Sequence, residues 1–427
     1  MKAISCYHVR AQGEKNTEKF RYPDTQPDQE DSDHDKEEEG EMKGMKVKKG
    51  IVLGILMTFL FAGGGAWAAE PIKVGAILSV TGPASFLGAP EAKTLEMLVE
   101  ELNKKGGIKG QKIELIVKDS GANPEKAFSF AKQLIDENKV FAIIGPSTSG
   151  ETMKIKSIAE EGKTILLSCA AAEVIVNPVA KYVFKTPQKD SDAILTIFGQ
   201  MKKMKISKIG VLSSNTGFGQ AGKAQIEKLA PENGIKIVAN EVYDKAASDL
   251  TAEVTKLKAA GVEAILNWSI EPAQSIVIKN ARQIGIKAPI FQSHGFGNIK
   301  YVEAAGVAAE GVLFPAGRLL VADVLPKNHP QKTLLVKYKK DYESKYKEDA
   351  STFGGHAYDA FIILVKAIEK AGKADKDAVR AAIEQLKGVV GTGGVFNFSP
   401  TDHNGLGLDA FEMLTVTKGK FTILKQK

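Results

Sequence analysis

From Ile72 onward, short apolar runs alternate with stretches of helical periodicity, and this alternation limits the fold more than any other feature of the chain. "IKVGAIL" (72–78) reads as a strand and "PEAKTLEMLVEELNKKGG" (90–107) as a helix closed by glycine. "KIELIVKD" (112–119) is a second strand, followed by a helix over 124–138 with Pro124 in its first turn, where a missing N–H does no harm. "VFAIIG" (140–145), a helix from "SGETMKIKSIAEEG" and the strand "TILLS" (164–168) complete the series. The strands are almost continuously apolar, so both of their faces need cover. Parallel strands with helices on both sides of the sheet meet that need.

The rhythm then restarts. Strands are expected at 208–214, 235–242, 262–268 and 288–295, with helices at 219–230, 248–261 and 272–285 between them. The chain therefore predicts an α/β fold of two doubly wound parallel-sheet, Rossmann-like lobes, with first segments 69–187 and 188–315. A long amphipathic stretch, 330–387, adds two or three helices. The end alternates at period two around a Lys-Gly turn and reads as a β-hairpin or meander. Two such lobes place a cleft between the carboxyl ends of their strands, where sheets of this kind hold ligands.

The first 44 residues do not share this pattern. Their stretch "PDTQPDQEDSDHDKEEEGE" (23–41) is dense in acid with almost no apolar residues, so it cannot bury a core and reads as disordered. At Met45 the text changes to Lys46, Lys48 and Lys49, then the twelve apolar residues Ile51 to Ala62, then "AWA" (66–68). That order is a secretory signal peptide; the apolar run is too short to span a bilayer, which takes about 20 residues. A signal belongs at an N-terminus, so the expected start is Met45, with 1–44 a mis-assigned extension and cleavage near Ala68. Only Cys169 would survive in the exported part, so no internal disulfide is expected. The first 44 residues hold 7 basic and 12 acidic residues and the leader three lysines, so the part from Ala69 carries +9 against +7 for the whole chain. The excess is spread as lysines on solvated faces, with no nucleic-acid motif among them.

Three loops carry candidate chemistry. "GPSTSGET" (145–152) leads into a helix with Ser149 at the expected N-cap and Glu151 in the first turn; it is either a plain cap or an anion site. "LLSCAAAEV" (166–174) runs from a strand into small residues, which allow close packing or close approach to a ligand. "SVTGPASFLG" (79–88) offers Phe86 or Leu87 as an apolar cap. Gly217, Gly219 and Gly222 spell G-x-G-x-x-G, but Ser213 to Thr216 separate them from the expected strand end at Leu212, so they do not form the tight dinucleotide turn. No cofactor is expected. There is no H-x-x-x-H pair, no G-x-S-x-G elbow and no P-loop lysine, and Cys169 reads as a small buried hydrophobe, so the chain is not expected to be an enzyme.

"IKVGAILSVTGPASFLG", "LNKKGGIKGQKIELIVKD", "FAIIGPSTSGET", "HAYDAFIILVKAIEKAG" and "GVVGTGGVFNFSPTDHNGL" together resemble the periplasmic leucine/isoleucine/valine-binding family, the substrate-binding proteins of ABC importers. The resemblance implies a type I periplasmic-binding fold with a three-crossing hinge, lobe one from 69–187 plus 316–392 and lobe two from 188–315 plus 393–427. It implies a periplasmic monomer that closes on a small-molecule carboxylate ligand and delivers it to ABC permease subunits in the inner membrane. A solute sensor feeding a receptor is the alternative use of the same cleft.

Residue by residue, the resemblance puts the carboxylate-binding serine at Ser149 and the carbonyl for the ammonium at Ala170. A threonine of the family falls on Ala172, leaving only an N–H. The first-loop aromatic falls at Leu87 beside Phe86, and the lobe-two tyrosine at Phe218. A further aromatic position falls near Ser269 or Ile270, beside Trp268. The acid that pairs with the ammonium falls on His294. Burying an ammonium without its carboxylate is costly. The expected ligand is therefore of the branched-chain amino acid class by family, or alternatively an aromatic or other non-amino carboxylate.

Overall fold

The computed structural model describes residues 70–425; the acidic stretch and the leader lie outside the described residues. The first lobe is built from β1 (Ile72–Leu78), α1 (Ser85–Lys104), β2 (Ile113–Asp119), α2 (Pro124–Lys132), β3 (Ala142–Ile144), α3 (Ser149–Glu161), β4 (Ile165–Ser168) and β5 (Val183–Lys185). Its five strands are parallel in the order β2-β1-β3-β4-β5, with β1 paired to β2 from Ile72↔Ile113 to Leu78↔Asp119. The order reverses between β1 and β3. The loops leaving these two strands therefore diverge onto opposite faces and open a crevice at their carboxyl ends.

The second lobe repeats the plan with α4 (Asp190–Lys203), β6 (Lys208–Ser214), α5 (Gly217–Leu229), β7 (Lys236–Tyr243), α6 (Thr251–Ala259), β8 (Ala264–Trp268), α7 (Ala273–Gln283), β9 (Ile290–Gln292), α8 (Ile299–Ala305) and β10 (Leu313–Ala316). The order β7-β6-β8-β9-β10 again reverses after its first strand, so the second crevice lies at the exits of β6 and β8. The chain then adds α9 (Lys332–Tyr346), α10 (Thr352–Ala371), α11 (Lys376–Glu384), the short pair β11 (Val389–Val390) and β12 (Val395–Phe396), and the hairpin β13 (Glu412–Thr417) and β14 (Lys420–Ile423). That hairpin extends the second sheet antiparallel to β10. Its Lys418-Gly419 turn has φ of 51° and 71°, the left-handed pair that suits the twist of a two-residue hairpin.

Three expectations shift. The helix expected from Pro90 begins at Ser85 and carries Pro90 inside it. Strand β6 fills the expected 208–214, so it ends at Ser214 and not at Leu212, where the reading of the glycine motif ended it. The last crossing between lobes, expected at 392/393, falls after Ala410. Phe396, Phe398, Leu406 and Ala410 bury against the first lobe's core, and the His403 ring stacks on Phe184 at 4.0 Å. Beyond Ala410, Phe411 is the first residue in the second lobe's core. The alternating text of 393–410 is apolar enough for either lobe, and the aromatic contact with β5 decides which.

Candidate ligand-binding site

The two crevices face each other, and the helix N-termini α3 and α5 meet across them. A Cβ built on Gly217 would stand 2.8 Å from both the N and Cα of Gly150. This approach explains part of the glycine pattern of α5. All three glycines lie inside the helix, so they form no turn for a pyrophosphate. Gly217 admits the opposite helix, and a Cβ on Gly222 would lie 2.0 Å from Trp268 Nε1.

Behind the meeting point lies an inner chamber of about 20 Å³, joined at Phe218 and Ile270 to an outer one of about 350 Å³. The inner chamber brings together Leu87, Ser149, Ala170, Phe218, Ile270 and His294 from the exits of six separate strands. Two expected residues are not on its wall. Phe86 turns outward, its ring 5.2 Å from that of Tyr301. Ala172 is buried beneath the wall, and its N–H is taken by Ser149 Oγ at 3.3 Å. The N-cap of α3 is Thr148 rather than Ser149: its Oγ1 accepts from Glu151 N and donates to Glu151 Oε2 at 2.6 Å. Ser149 is thereby the first helical residue. Its Oγ accepts from below, so its O–H is left to donate into the chamber beside the positive end of α3.

Phe218 is 2 % exposed and stacks on Trp268 at 5.7 Å. The His294 ring meets Phe218, Trp268 and Phe411 edge-on at 5.5, 5.6 and 5.9 Å. Neither of its ring nitrogens has a hydrogen-bond partner among the described residues. Burial, reinforced by the nearby Lys185 ammonium, drives its pKa down to about 3, so the ring is neutral; the Gln188 main chain lies close and acts weakly the other way, without hydrogen-bond geometry.

Ser147, Pro187, Phe353 and His356 are among the residues of this wall that escaped sequence reasoning. Phe353 and His356 come from α10, nearly 200 residues beyond the other first-lobe loops. Their spacing of three places them on the buried face shared with Ala357 and Ala360, which is the one signal the sequence held. Ser147 is backed by a buried polar network. It accepts from Ser79 N at 3.0 Å and donates to Glu91, while Ser79 Oγ donates to Glu151 at 3.0 Å. Burial pushes the Glu91 carboxyl up to about 8, against the Ser147 bond and with help from Glu151, so it is neutral at physiological pH. Burial also raises the Cys169 thiol well above its usual range, which removes it as a nucleophile at neutral pH. Among the described residues no carboxylate lines the inner chamber. At the outer one Glu271 is turned onto Ser269 Oγ and Ile270 N, at 2.7 and 3.2 Å.

The profile of the family described as periplasmic binding protein matches residues 71–419. The chain belongs to that family. A leucine-, isoleucine-, valine-, threonine- and alanine-binding protein of Pseudomonas aeruginosa is 29% identical over 319 residues, 74% of this chain and 83% of the relative. An extracellular ligand-binding receptor of Rhodopseudomonas palustris HaA2 is 30% identical, with a TM-score of 0.78 over 83% of this chain and all of the other. LivJ of Streptococcus pneumoniae, a branched-chain amino acid transporter substrate-binding protein solved with isoleucine, is 25% identical, with a TM-score of 0.72 over the same 83% and all of LivJ. The fold is thus that of the type I periplasmic binding proteins, and the relatives are binding proteins rather than enzymes. Among the described residues of this periplasmic binding protein no helix is long and apolar enough to cross a membrane.

Proposed function

We propose that this periplasmic binding protein is the extracytoplasmic substrate-binding component of an ABC importer, and that it captures a small non-amino carboxylate between its lobes. The carboxylate sits at the N-terminus of α3 against Ser149. Phe218, Ile270 and His294 close over it from the second lobe. The observation that carries this reading is the inner wall itself, which pairs a helix N-terminus and a serine with two histidines and no carboxylate. An α-amino acid buried there has no anion for its ammonium, and that leaves a charge desolvated at a cost of several kcal/mol. At about 20 Å³ the inner chamber holds about one water-sized molecule, so entry and exit of any solute require the lobes to part. The signal peptide exports the chain, and the closed monomer docks on permease subunits in the membrane.

Calorimetry on the purified protein tests the ligand. Benzoate, 4-hydroxybenzoate or 4-methylpentanoate is expected to bind more tightly than leucine, isoleucine or valine. Micromolar leucine binding with none of the three non-amino acids detected sinks this reading. It would favour the branched-chain amino acid class instead, for which the names of the relatives speak.

A further inference from the structure

The inner wall holds more polar capacity than a carboxylate uses. His294 and His356 both face the chamber that Ser149 enters, and they are 6 % and 7 % exposed. Among the described residues, Nδ1 and Nε2 of His294 and Nδ1 of His356 have no protein hydrogen-bond partner. Edge-on aromatic contacts with Phe218, Trp268 and Phe411 flank the His294 ring. The Phe353 ring stands 6.3 Å from that of His356, whose main-chain carbonyl is held by Thr186 Oγ1 at 2.9 Å. Buried polar atoms left without partners are a substantial loss of stability. Such a cluster, aimed into one chamber, is a built recognition surface.

We infer that His356, acting with His294, is a specificity-determining residue that reads a hydroxyl group on the captured acid. This rests on the reading of the cleft as a carboxylate site. A neutral imidazole presents one N–H and one lone pair. Burial and the proximity of Lys185 keep both rings neutral, and Lys185 Nζ is itself spent on the carbonyls of Pro187 and Gln188 at 2.7 and 3.1 Å. A hydroxyl accepts from the N–H of one ring and donates to the lone pair of the other, so it satisfies a donor and an acceptor at once. A second carboxylate only accepts, so a lone pair stays unmatched and an anion lies among Phe218, Phe353, Leu87 and Ile270. An ammonium only donates and finds no anion. A methyl leaves all three nitrogens bare. A site built to hydrogen-bond a hydroxyl rejects the analogue that lacks it far more strongly than an apolar pocket rejects an extra methylene.

The experiment uses matched pairs on the full protein: 4-hydroxybenzoate and 3-hydroxybenzoate against benzoate, 2-hydroxy-4-methylpentanoate against 4-methylpentanoate, and terephthalate as a dicarboxylate. At least one hydroxy acid is expected to bind tenfold or more tightly than its partner. His356→Phe keeps a ring and removes both nitrogens; it is expected to bring that ratio to about one. His356→Asn, which keeps a donor and an acceptor near Nδ1, is expected to retain part of the ratio. Nitrogen NMR on the unmutated protein gives a readout that needs no variant to fold: the hydroxy acid shifts the His356 Nδ1 resonance and benzoate does not. Equal binding within every pair, a ratio unchanged in His356→Phe, or preference for terephthalate overturns the role of His356 and leaves the carboxylate reading standing. Failure of every acid tested overturns both.

Discussion

The side-chain amide of Asn298 donates to the main-chain carbonyl of Phe86 at 2.9 Å, and it can do so because of Pro90. Phe86 lies four residues before Pro90 in α1, so its carbonyl has no helical N–H to accept from. The gap in one helix is filled from the other lobe. Asn298 also caps α8, its Oδ1 accepting from Lys300 N at 3.0 Å. Asn298→Asp keeps that cap, removes the donor and sets a carboxylate against the carbonyl. If closure holds the ligand, dissociation should speed up by about tenfold, since one such bond is worth roughly 1 kcal/mol and the replacement is repulsive. Stopped-flow release and a melting curve check this; an unchanged rate with an unchanged melting temperature removes the bond from closure.

Gly217 and Gly150 set how closely the lobes approach. The side chain added by Gly217→Ala lies 2.8 Å from backbone atoms that cannot rotate away. Alanine suits a helix better than glycine by about 1 kcal/mol, so each lobe should be no less stable. The variant is expected to lose ligand affinity tenfold or more and to show a larger radius of gyration at saturating ligand by X-ray scattering. Full affinity would mean that the contact plays no part in the bound state.

The strand-helix alternation made the two lobes legible because a buried parallel sheet demands apolar runs and its helices demand period 3.6. What the sequence hid depends on contacts between distant segments. Proline favours a first turn, so reading α1 from Pro90 was sound locally; only Asn298, 212 residues away, makes an earlier start tolerable. Thr148 and Ser149 are equally good caps as residue types, and only backbone geometry chooses between them. His294 was visible as a departure from a motif. His356 lay in an ordinary helical pattern, and nothing local distinguishes a helix face packed on a core from one that also borders a ligand chamber.

Phe218 belongs to the core as well as to the chamber, and that changes what its removal does. A residue only at the rim of the cleft could be truncated without harm to the fold. At 2 % exposure and stacked on Trp268, Phe218→Ala should destabilise the second lobe by about 3 kcal/mol, besides weakening ligand binding. Phe218→Leu keeps most of the apolar bulk and should cost less than half of that. Urea denaturation separates the two variants. A Phe218→Ala protein as stable as the original would return the residue to the rim.

Buried acids and imidazoles pull the pH profile of stability in opposite directions. Glu91 and Asp359 are pushed up to about 8 and about 7 by burial, so their folded pKa values lie above the unfolded ones. Their contribution is complete below about pH 4 and is lost as pH rises through 7 to 8. His294 and His356, pulled down to about 3 by burial, contribute fully above their ordinary 6.5 and lose that contribution as pH falls. Between about pH 4.5 and 6.5 the two pairs cancel; above 6.5 only the acids of this set still titrate. Lys185, lowered by burial, works against them at alkaline pH, so the useful measurement is a difference between two proteins. Glu91→Gln still accepts from Ser147 and cannot ionise. One group contributes up to about 1.4 kcal/mol per pH unit, so the original protein should lose about 2 kcal/mol more than Glu91→Gln between pH 6.5 and 8. Parallel stability curves for the two proteins over that range would show that Glu91 is already charged in the fold, and that the network behind Ser147 holds an anion instead of a proton.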